Sequence, residues 1–121
     1  MIPVYRPYIP SLCVEYVNDA LKSTWISSTG KYIDKATEKL AEINKCKYVI
    51  LTNNGTSATH LVAKSLKKFN TNIKRILIPS ACYITAYNTM LYDKNEWQVK
   101  CIDLDKKTWN MDIKEVRSDD A

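Results

Sequence analysis

The order of apolar patterns in this 121-residue chain predicts an α/β fold, a mostly parallel sheet flanked by helices. Two observations predict it, and a third sets a membrane-spanning helix aside. Stretches with helical spacing alternate with short apolar runs that read as strands. One of only two glycines stands where such a run meets a helical stretch. No apolar run nears the roughly 20 residues that a membrane span needs.

Taken in chain order, "SLCVEYVNDALKS" places Leu12, Tyr16, Val17, Ala20 and Leu21 on one stripe, with Pro10 and Ser11 as start signals. It is expected to be a helix. "TWISSTG" breaks the period and reads as a loop. "KYIDKATEKLAEIN" resumes helical spacing through Ile33, Ala36, Leu40 and Ile43. A buried strand is expected over 47–52, a turn over 53–57 and a helix over 58–69. "NTNIK" is a polar loop, and "RILIP" a short strand ended by Pro79. "SACYITAYNTMLYDK" is helical after its first residues, and "WQVKCIDLD" is a strand. The order α-α-β-α-β-α-β puts the strand C-terminal ends on one side, where open α/β sheets bind ligands. The chain divides by pattern into helices and a loop (1–46), a βαβαβ region (47–112) and a charged tail (113–121).

Apolar residues make up 45% of the chain, enough for a core. The opening "MIPVYRPYIP" lacks the apolar stretch of a signal peptide, so the cytoplasm is the expected compartment, with no membrane partner. Cys13, Cys46, Cys82 and Cys101 form no C-x-x-C pair, and with the single His60 they make no zinc pattern. They read as free thiols, and no metal is expected. The net charge is +5, and no carboxylate lies between Glu42 and Asp93, while seven lysines and arginines do. That imbalance favours an anionic partner. No nucleic-acid motif accompanies it, so nucleic acid is not the expected one.

Asn53-Asn54-Gly55-Thr56-Ser57 follows an apolar run and opens a helix. The first amides of a helix have no partner within it, and the peptide dipoles put partial positive charge at that end. A phosphate satisfies both, and Gly55 lets backbone approach it. An ordinary turn with a Ser or Thr cap has the same pattern. Tyr83 lies in the next strand-to-helix connection. It either stacks on a flat heterocycle or lies half-buried under a helix.

Five motifs now stand in order: "IPVYRPYIP", "STWISSTGKYI", "NNGTSATHLVAKSL", "ILIPSACYITAYNTMLY" and "VKCIDLDKKTWNMD". Together they resemble the N-terminal part of the DegT/DnrJ/EryC1/StrS sugar aminotransferases, from Ile2 to about Asp112. The opening and "STWISS" look most like the perosamine-synthase branch, which aminates a 4-keto-6-deoxy sugar carried on a nucleotide. Ala81-Cys82 stands where the family usually reads F-T or M-T. Ser57, Thr59 and Ala63 stand where Ala, Leu and Leu are more usual.

The resemblance implies the large domain of the aspartate-aminotransferase fold (fold type I) and pyridoxal 5'-phosphate as cofactor. It implies that Gly55, Thr56 and Ser57 hold the cofactor phosphate and that Tyr83 stacks on the pyridine ring. Trp25, Ser27, Ser28 and Gly30 would lie near the substrate mouth. His60 is expected to pack inside the helix without a catalytic role, and no catalytic residue is assigned. The family's Schiff-base lysine, and the aspartate at the pyridine nitrogen, belong to a downstream segment. The expectation is therefore a truncated chain, inactive alone, that works with a nucleotide-sugar and an amino donor in a complete enzyme. It would form a homodimer or pair with the missing half. The alternative expectation is a non-catalytic remnant of that fold that binds a phosphate ligand or a partner.

Overall fold

A computed structural model describes residues 1–69, 72–92 and 97–117. The chain forms two compact units, Met1–Leu51 and a second from Thr52 onward.

The first unit holds helices α1 (Ser11–Ser23) and α2 (Lys31–Asn44), matching the helical spacings. Each ends on a residue with positive φ, Thr24 (φ 64°) and Lys45 (φ 52°), which returns an amide to the last turn. Between the helices, Gly30 has φ 129°, a backbone region that side chains other than glycine's rarely adopt. Its carbonyl accepts the amides of Ile33 and Asp34 and so starts α2. The Asp19 carboxylate accepts the Tyr32 hydroxyl at 2.7 Å and pairs with the Lys31 ammonium, and the Tyr16 and Tyr32 rings lie 5.4 Å apart. Neither helix buries a residue fully: the α1 stripe of Leu12, Tyr16, Val17 and Leu21 stays about half exposed.

The second unit holds α3 (Gly55–Phe69), β1 (Arg75–Pro79), α4 (Thr85–Leu91) and β2 (Gln98–Ile102). Strands β1 and β2 pair in parallel, Arg75 opposite Gln98 through Pro79 opposite Ile102, with α4 as the crossover. This is the βαβ unit that the alternation predicts. Pro79 ends β1, and the next amide, Ser80, donates to the Ile102 carbonyl at 2.8 Å. The core lies in this unit: Ala63, Ile78, Thr89, Trp97 and Ile102 are buried. The Trp97 indole donates to the Met90 carbonyl, satisfying the polar edge of a ring that otherwise packs inside.

Three expectations change. The run 47–52 forms no strand: Tyr48 is 78% exposed and Ile50 75%. A strand needs a ladder partner for its backbone, and this run has none among the described residues. Among the described residues the sheet therefore has two strands where three were expected. Helix α3 starts at Gly55 rather than 58, because Asn54 caps it. Strand β2 stops at Ile102 because the chain folds back at once. The Asp112 amide donates to the Asp103 carbonyl, and Leu104 bridges Met111 antiparallel. The helical expectation for 93–94, the loop at 70–71 and the end of the tail at 118–121 lie outside the described residues.

Candidate functional site

The first turn of α3 is built by the residue before it. The Asn54 side-chain oxygen accepts the Ser57 amide at 2.8 Å, and the Asn54 carbonyl accepts the Ala58 amide at 3.2 Å. Thr52 Oγ1 donates to that same carbonyl at 2.9 Å. The amides of Gly55 and Thr56 make no hydrogen bond among the described residues. One turn on, Thr59 Oγ1 donates to the carbonyls of Gly55 and Thr56.

Gly55 is informative because nothing among the described residues requires it. Its φ is not in the left-handed region, and a Cβ built there meets no atom within 4 Å. Neither strain nor crowding selects glycine at this position. What remains is room beside two unsatisfied donors at the positive end of a 15-residue helix, an arrangement suited to an anion.

Tyr83 lies in the loop between β1 and α4, and its carbonyl accepts the Ala86 amide at 2.9 Å. Its ring is 79% exposed, so it is not half-buried under a helix. The adjacent Ala81 and Cys82 are also exposed.

Trp25 and Gly30 come together in the first unit. With Ser23, Thr29 and Lys31 they line an open cavity of about 440 Å³. Ser27 and Ser28 do not line it, and the Ser27 hydroxyl is shared with Thr29 at 3.2 Å. The base of this loop carries charge. Lys31, and then the Tyr32 hydroxyl, hold the Asp19 carboxyl below its usual range, while Asp19 holds the Lys31 ammonium and the Tyr32 hydroxyl above theirs.

His60 packs edge-on against Tyr92, ring centroids 5.1 Å apart. The four cysteines are free and exposed. Among the described residues no cluster of His, Cys, Asp or Glu suits a metal ion, and no helix is long and apolar enough to cross a membrane. Sequence reasoning passed over Asn54, although an Asn just before a helical stretch is itself an N-cap signal.

The comparisons with known proteins agree on one group. The chain is 36% identical over 119 residues to GDP-perosamine synthase of Escherichia coli O157:H7, covering 90% of this chain and 32% of that protein. It is 37% identical over 91 residues to the GDP-perosamine synthase of Vibrio cholerae, covering 75% of this chain and 24% of that protein. It is 28% identical over 105 residues to a putative pyridoxal phosphate-dependent aminotransferase of Bacillus subtilis, covering 87% of this chain and 26% of that protein. The chain thus spans about a third or less of the curated relatives it matches. A family model aligns with residues 7–119, and the chain belongs to the DegT/DnrJ/EryC1/StrS aminotransferase family.

Proposed function

We propose that this chain carries the cofactor-phosphate end of a pyridoxal-phosphate-dependent aminotransferase that aminates a nucleotide-linked 4-keto-6-deoxy sugar. Family membership supports the reaction class, and the names of the relatives support the substrate and cofactor. The observation that carries the reading is Gly55: open space beside two unpaired amides at the start of α3. These residues fit a phosphate. The Gly55 and Thr56 amides receive it, and the hydroxyls of Thr56 and Ser57 add donors. The exposed Tyr83 ring covers a face of the cofactor's pyridine.

When bound, pyridoxal phosphate supplies the electron sink of amino transfer. This chain's residues bind and orient it. Trp25, Ser27, Ser28 and Gly30 belong to the substrate mouth in this reading, with the Trp25 and Gly30 cavity taking part of the nucleotide-sugar. The lysine and the aspartate that the chemistry also needs are assigned to the remainder of the enzyme, which functions as a homodimer. The 121 residues alone hold the phosphate group without completing the transfer.

The two glycines make a direct test, because each gives one amide signal in a thinly populated region of a nitrogen–proton NMR spectrum. Pyridoxamine 5'-phosphate is the probe, since it has no aldehyde to react with surface lysines, and pyridoxamine is the control. The Gly55 amide proton is expected to move downfield with the phosphorylated probe alone, while Gly30 stays. Replacing Tyr83 with Ala is expected to weaken the phosphorylated probe about fivefold and to leave inorganic phosphate unchanged. A Gly55 signal indifferent to both probes sinks the reading.

A further inference from the structure

The residue that caps α3 occupies one of the amides a phosphate would use. Asn54 Oδ1 accepts the Ser57 N–H at 2.8 Å, leaving Gly55 and Thr56 as the open donors of the first turn. We infer that the Asn54 carboxamide is a stand-in ligand, displaced from the Ser57 amide when the cofactor phosphate binds. The inference rests on the phosphate reading of this helix end and deepens it.

Three features support displacement over coexistence. The Asn54 side chain is exposed, so it can swing into solvent. Its backbone is pinned separately: the Asn54 carbonyl holds the Ala58 amide and the Thr52 hydroxyl, so the helix start survives loss of the side-chain bond. The competition is unequal. A neutral carboxamide oxygen meets a doubly charged phosphate at a positive helix end, and hydrogen bonds to charged acceptors are about twice as strong as those to neutral ones. The cap thus satisfies the third amide while the phosphate is away, and its loss is subtracted from the phosphate's affinity.

A side-chain cap of this type is worth about fivefold in an equilibrium constant. Removing it therefore tightens phosphate binding by about that factor. The variants are Asn54→Ala, Asn54→Gly and Asn54→Asp. Glycine supports a helix start almost as well as asparagine but offers no side-chain oxygen, so it keeps the test valid if the alanine variant fails to fold. Aspartate retains the acceptor and adds a negative charge that repels phosphate. Titrations with inorganic phosphate and with pyridoxamine 5'-phosphate, followed by the Gly55 and Ser57 amide signals, give the affinities. We expect Asn54→Gly and Asn54→Ala to bind about fivefold more tightly than the unsubstituted chain, and Asn54→Asp more weakly. The Ser57 signal should move in the unsubstituted chain as its acceptor changes. If Gly55 responds to phosphate but Asn54→Gly binds equally or less tightly, displacement is wrong and the phosphate site stands. If Gly55 responds in no variant, the site itself is wrong and the stand-in role falls with it.

Discussion

Asp19 sits where the Lys31 ammonium and the Tyr32 hydroxyl converge, and it carries much of the specific contact between α1 and α2. Its carboxyl is held below its usual 3.8 chiefly by Lys31, then by the Tyr32 hydroxyl. The sign follows from linkage. A carboxyl with a lowered folded-state value adds stability above the unfolded value and loses it as pH falls through the folded one. Proton NMR of the Tyr32 ring should therefore report an acid step below pH 3.8, and Asp19→Asn should remove that step. An unchanged step in the variant would show that another group drives it. At this scale the sequence was partly legible. Gly55 announced itself as a lone glycine between an apolar run and a helix. Asn54 did not, because an Asn–Gly pair reads as a turn as readily as a cap, and only the side-chain geometry decides. The Asp19 contacts were also hidden, since residues 13 positions apart on separate helices share no sequence pattern.

Among the elements, α1, α2 and β1 coincide with their patterns because each is governed by local spacing and clear punctuation: Pro10, Gly30 and Pro79 mark their limits. The run 47–52 shows where such reading fails. Four consecutive apolar residues say that burial is favourable, but a strand is created by its neighbour, and pairing is not encoded in the run itself. The end of β2 was missed for a related reason. "IDLD" keeps its alternation, yet the Asp105 side chain accepts the amides of Lys107 and Thr108 and folds the chain over. Those bonds, the Thr108 amide first, also keep the Asp105 carboxyl below its usual range. Within the βαβ unit, Ile102 is 2% exposed and closes β2 against the core. Ile102→Ala is expected to cost about 2–5 kcal/mol, lost transfer energy plus a cavity. A denaturant midpoint unchanged by this substitution would place the stabilising core elsewhere.

For the molecule as a whole, the buried residues divide unequally. All of those fully buried among the described residues lie in the second unit, while α1 and α2 have none. Local opening costs least where few apolar groups leave water. Amide hydrogen exchange should therefore be slow in β1, β2 and the middle of α3, and faster across α1 and α2. Equal protection in both units would contradict this division. The boundary at residues 51 and 52 was not legible in the sequence, because it reflects which tertiary contacts form rather than any change of composition. The two-stranded sheet has a further consequence. Among the described residues each strand pairs along one hydrogen-bonding edge only, and unpaired margins recruit strands from other molecules. Lys74 and Arg75 at one end of the ribbon, and Lys100 within it, are of the charged type that discourages edge pairing between copies. Concentrated salt, which mutes that repulsion, is thus the condition under which this fold would begin to template its own aggregation.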